Sequence, residues 1–133
     1  MSQGNVEIAR QHLDAFSRRD VEALRVRIDP EVELDWSASA GVEARVYRGI
    51  DAYLRFWTSY FEAFDEIAVS PERFIDVGES VVVPNVTRFR GRDGIEVLAE
   101  STLVFTVRNR KIARICLYQE TDEALKAVGL GDG

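Results

Sequence analysis

An α+β domain, with helices gathered on one face of an antiparallel meander, is the fold class this sequence predicts. Three observations point to it. Apolar residues in the first half recur at three- and four-residue steps. The second half is extended and rich in Val, Ile, Phe and Thr, with period-two alternation. Its long segments are separated by short turn signals. A chain of 133 residues is long enough for one core and too short for two, so a single domain over 1–133 is expected.

The elements follow in order. Val6, Ala9, Leu13 and Phe16 mark an amphipathic helix over residues 4–18. Asp20 caps a second, short helix carrying Val21, Leu24 and Ile28, which Pro30 stops. Residues 31–36 alternate as a strand, and 37–45 (SASAGVEAR) read as a loop. Ile50, Leu54, Trp57, Phe61 and Phe64 give a third helix a wide aromatic face, flanked by Tyr53 and Tyr60. Strands are expected at 71–76, 80–91, 95–107 and 111–119, with turns at Gly78, at Gly91–Gly94 and at Arg108-Asn109-Arg110. Thr121 then caps a final helix that closes at Gly129. In 95–107 the odd residues are almost wholly apolar and should face the helices. The even residues, with Arg114, Cys116 and Tyr118, are too apolar for a plainly solvated face, which suggests a partner subunit.

Composition excludes several functions. One Cys and one His build neither a disulfide nor a zinc site of nitrogen and sulfur ligands, so no metal is expected. No glycine-rich phosphate loop appears, and a nucleophilic triad would have to run through His12. The net charge of −6 opposes nucleic acid as a partner. The basic clusters Arg88/Arg90/Arg92 and Arg108/Arg110/Lys111 fall on successive hairpin turns, at opposite ends of the sheet. No apolar run approaches the ~18 residues that span a bilayer, and the first residues lack a signal-peptide profile; no membrane contact and a cytoplasmic location are expected.

The strings AFSRRDVEAL, DPEVELDW, VYRGIDAYLRFW, FIDVGESVVV, LVFTVRNRKIARI and ETDEALKAVGL, in that order, resemble the SnoaL-like and ketosteroid-isomerase-like branch of the nuclear-transport-factor-like cone fold. The resemblance implies a strongly curved sheet with the N-terminal helices on its concave face, enclosing an apolar pocket. It also implies a homodimer through the convex face, in agreement with the two-sided strands.

On that resemblance His12 falls where ketosteroid isomerases carry the tyrosine that donates to the substrate oxygen, and Asp35 falls at their general base. Alternation leaves a second possibility for each. His12 can be a helix-edge histidine satisfied by a carbonyl or water. Val32, Leu34 and Trp36 can face inward, with Asp35 outward and Trp36 as a pocket wall. Asn85 and Thr87, on an otherwise apolar strand face, call for a ligand or for each other. Ser101 falls near the second oxyanion donor of the isomerases. Phe16, Trp57, Tyr60, Phe61 and Leu117 complete the expected ligand contacts, plain core packing being the alternative for at least two of the aromatics. The Arg and Asp of the epoxide hydrolases are missing, as is the last-strand carboxylate of the cyclases.

The expectation is therefore a small-molecule pocket for an apolar, carbonyl-bearing ligand. Its chemistry would be cofactor-free isomerisation, cyclisation or dehydration, with Asp35 as base and His12 as donor. The competing expectations are a non-catalytic binding domain and a dimeric interaction module with a filled core.

Overall fold

Asp20 separates the first two helices, as its residue type dictates. In the computed structural model, which describes residues 2–39 and 43–129, helix α1 (Ser2–Ser17) buries Ala9, Leu13 and Phe16 along one stripe. The Asp20 carboxylate accepts from the Ala23 backbone N–H at 3.1 Å and starts α2 (Val21–Val26). Arg19 reaches across this turn and donates to the carbonyls of Phe61 and Phe64, at 2.8 and 2.6 Å.

Ile28 belongs to a strand rather than to the second helix. The Arg27 backbone N–H closes α2, and β1 (Ile28–Asp35) follows at once. Pro30 therefore does not end a helix. It sits inside β1 where the pairing with the last strand is irregular between Ile28 and Glu33, a place that tolerates a residue without an N–H.

The expected loop after β1 ends in a short strand, β2 (Val46–Arg48), antiparallel to β1. Gly49 follows with φ of 92°, a left-handed backbone that glycine adopts without strain, and its N–H donates to the Val32 carbonyl at 2.8 Å. This turn launches α3 (Ile50–Ala63), which buries Tyr53, Leu54, Phe56 and Trp57.

One strand was expected at 71–76; there are two on either side of it. β3 (Glu66–Pro71) and β4 (Ile75–Val77) both pair with β5 (Ser80–Arg90), and the Glu72 N–H donates to the Pro84 carbonyl between them. β6 (Glu96–Arg108) and β7 (Lys111–Tyr118) complete the sheet. In the last helix, α4 (Thr121–Ala127), Glu120 occupies the cap position without a side-chain bond. Thr121 does not cap: its hydroxyl bonds Thr102 at 2.7 Å and ties α4 to β6.

The strands lie in the order β2-β1-β7-β6-β5-β3, with β4 also on β5. β5, β6 and β7 form the expected antiparallel meander, but β1 runs parallel to β7. The sheet is curved and unclosed. In register, Val81–Phe105–Ile115 and Val83–Leu103–Leu117 form inward ladders under α1 and α3, so the odd residues of β6 face the helices as alternation predicts. Val82–Val104–Cys116 is the outward ladder, and α4 covers it with Ala124. Part of the second face's apolarity is thus satisfied within the chain. Arg88 and Arg90 pair with Glu66 and Glu96 at one end of the sheet, and Arg108 with Glu79 at the other.

Candidate functional site

Between the concave sheet face and the two long helices lies a cavity of about 370 Å³, a size ordinary for a small-molecule site. His12, Leu13 and Phe16 reach it from α1, Trp57 and Tyr60 from α3, and Leu103, Phe105 and Leu117 from the sheet.

His12 is a buried polar group of this cavity. It is 3 % exposed, and its Nε2 pairs with the hydroxyl of Tyr53, which is fully buried. Burial, then the charge of Arg27, pull the imidazole down to about 3, so it is neutral at physiological pH. A neutral imidazole carries one N–H, and the pairing assigns it. The Tyr53 hydrogen needs an acceptor, and the adjacent Trp57 indole is a donor only, so His12 Nε2 accepts. The proton then sits on Nδ1, which has no partner among the described residues. The sequence marked His12 but not Tyr53, whose place four residues before Trp57 was the available signal.

On the sheet wall Asn85 is buried, and Thr87 donates to its Oδ1 at 2.9 Å. Asn85 Nδ2 donates to the Val83 carbonyl at 3.2 Å, so these two side chains satisfy each other and the backbone. Ser101 stands opposite Asn85 in register and also lines the cavity.

A third polar group comes from the stretch read only as loop. Glu43 lines the cavity with Ser39, Trp36 and Tyr60. Ser39 donates to its carboxylate at 2.8 Å, and the Tyr47 hydroxyl donates to its backbone carbonyl at 2.7 Å. Burial pushes the Glu43 carboxyl up, but hydrogen bonds from Ser39, its own backbone and Tyr60 outweigh it and hold it below the usual range. Tyr60 is pushed up, by burial first and then by the Glu43 charge. Glu43 stands in a segment without periodicity, which is why patterning missed it.

Asp35 does not line the cavity, a correction to its expected place. It pairs in register with Cys116 on the outward ladder, while Leu34 beside it pairs with Ile115 on the inward one. Its carboxylate accepts from the Ser37 hydroxyl at 2.6 Å, the Ser37 N–H at 3.1 Å and Arg114 at 2.9 Å. Burial raises the Asp35 carboxyl, but the Ser37 bonds and the Arg114 charge outweigh it, and the net shift is downward. An ionised, well-satisfied carboxylate on the far side of the sheet is a structural group. Trp36 takes the wall position instead.

The sequence profile of the SnoaL-like domain matches residues 9–115. The chain belongs to the SnoaL-like family. No curated protein matches it significantly. Among solved structures, an NTF2-like protein of unknown function from Burkholderia pseudomallei K96243 superposes with a TM-score of 0.77 at 21 % identity, over 95 % of this chain and 98 % of that one. TerC, co-crystallised with polyporic acid, gives 0.76 at 19 % identity, over 94 % and 98 %. The epoxide hydrolase/cyclase-like enzyme SalBIII, of pyran ring formation in the polyether salinomycin, gives 0.74 at 20 % identity, over 87 % and 90 %. The shared fold is thus one that small-molecule cyclase-type proteins use.

Within this SnoaL-like domain, Phe16, Trp36, Trp57, Tyr60, Asn85, Thr87, Ser101, Leu117 and His12 line the cavity. Phe61 does not. Its ring packs behind Phe16 at 5.3 Å and beneath the Arg19 guanidinium at 5.4 Å, turned from the cavity by its place on α3. Among the described residues no group of three or more His, Cys, Asp or Glu side chains is placed to hold a metal ion, and no helix is long and apolar enough to cross a membrane.

Proposed function

We propose that this SnoaL-like domain binds an apolar, ring-bearing small molecule that carries an acceptor oxygen. The observation that carries the reading is His12: a buried, neutral imidazole with an unpartnered Nδ1, on the wall of a mainly apolar cavity. A buried donor without an acceptor is costly; Nδ1 is shut off from solvent, so a ligand carbonyl that pairs with it and removes that cost must first displace a neighbouring side chain. The apolar walls supply the rest of the affinity. TerC, which shares this fold, was co-crystallised with polyporic acid, and that supports a small molecule as the ligand.

A second reading, cofactor-free isomerisation or cyclisation, is favoured by the likeness to SalBIII and by the same neutral donor. A carboxylate base would have to come from the cavity's lining, with Glu43 better placed than the exposed Glu100, because Asp35 is on the other face. Binding is tested first by titrating an apolar dye and following the fluorescence of Trp36 and Trp57. Asp35→Asn is expected to leave the affinity unchanged. Ala99→Phe plants a ring in the cavity from the half-buried wall of β6 and is expected to abolish binding. The opposite pattern overturns the reading.

We also propose that the domain pairs as a homodimer through the convex sheet face. Leu98, on the even face of β6, is 66 % exposed, and β6 before Thr102 extends past its pairing with β7. Light scattering is expected to give twice the monomer mass, and Leu98→Glu to halve it.

A further inference from the structure

We infer that the cavity selects a ligand with a cationic head group, a protonated amine on an apolar frame, held by the Glu43 carboxylate against Trp36 and Tyr60. The inference rests on the binding reading above and adds the charge of the ligand.

The argument starts from what is missing along the walls. The chain has 17 Lys and Arg residues, yet none is among the described residues that line the cavity. Several acids of the sheet have cations: Glu33 and Asp35 take Arg114, Glu66 takes Arg88 and Arg90, and Glu79 beside the sheet takes Arg108. Glu43 has Ser39 and Tyr60 as neighbours, both neutral, and no Lys or Arg pairs with it among the described residues. The Arg45 guanidinium lies over the Tyr47 ring at 5.1 Å and does not line the cavity. Glu100 also borders the cavity, but it stands on the alternate face of β6 and is exposed, so it offers no competing charge inside.

A half-buried carboxylate without a counter-charge is an incomplete ion pair. Its surroundings are aromatic: Trp36 meets Trp57 at 5.3 Å and Trp57 meets Tyr60 at 5.5 Å between ring centroids. Ring faces attract cations, and an ammonium between them and a carboxylate gains from both. A ligand anion meets the reverse, a like charge with no base to offset it. His12 does not change this balance, since it is neutral.

The test uses three probes on one frame: 2-naphthylmethylamine, 2-naphthylmethanol and 2-naphthoate, titrated calorimetrically at pH 7.5. The amine is expected to bind roughly tenfold more tightly than the alcohol, and the carboxylate more weakly than either. Glu43→Gln is expected to bring the ratio of the amine's affinity to the alcohol's from about ten down to about one. An alcohol that binds as tightly as the amine, or a preference for the amine that survives in Glu43→Gln, overturns this inference alone. Failure of all three probes overturns both it and the cavity reading beneath it.

Discussion

Stability is expected to fall by about 2 kcal/mol between pH 7.5 and pH 5, and His12→Gln is expected to flatten that fall. The imidazole is held at about 3 in the folded chain, against roughly 6.5 when exposed. Between those values the unfolded chain binds one proton more than the native chain, so stability rises with pH and is lost on acidification. The loss begins near the unfolded value and continues down to about 3. Asp20, Asp35 and Glu43 are all shifted downward, so their contributions are present above their unfolded values near ~4 and go only below them. Urea denaturation at several pH values, wild type against His12→Gln, measures the difference. Equal slopes for the two proteins would mean that the imidazole is solvated and that the unpartnered Nδ1 is no site for a ligand oxygen.

What could be read from the chain, and what could not, divides along the range of the interactions. α1 and α3 were legible because one helix repeats its apolar stripe every three or four residues, and β5, β6 and β7 because long alternating runs joined by tight turns pair with their neighbours. The parallel contact of β1 with β7 joins residues about eighty positions apart, and no local pattern encodes it. β2 and β4 have three residues each, too few to show a period. Asp35 is the instructive case. Alternation alone sends Val32 and Leu34 to the core and Asp35 outward, and the structure follows it; the position carried over from the isomerases pointed the other way. The Asn85–Thr87 pair was foreseen as needing either a ligand or mutual bonding, and geometry chose the latter. Glu43 stayed hidden because its burial comes from Tyr47 and Ser39 folding a short loop back, which composition does not announce.

Phe105→Ala is expected to cost about 3–5 kcal/mol, the largest loss of any single side chain discussed above. Phe105 is fully buried between Val81 and Ile115 in the inward ladder, and its ring meets the His12 ring edge-on at 5.4 Å. It also lines the cavity, so the space it leaves joins an existing hollow rather than forming a sealed void. Water that enters there reaches His12 from the sheet side. Two changes should therefore appear together: a lower midpoint in urea, and a shallower acid slope as the imidazole regains solvent and moves back toward its ordinary value. Phe61→Ala separates these effects. That ring is partly buried, packs on Phe16 and Arg19 and does not border the cavity, so its loss costs about 1–2 kcal/mol and leaves the acid slope intact. If Phe105→Ala lost stability but kept the full slope, the two helices and Tyr53 alone would be keeping the imidazole dry. The ligand's oxygen would then have to approach it from the helix side of the cavity, past Phe16 and Trp57, and not along the sheet.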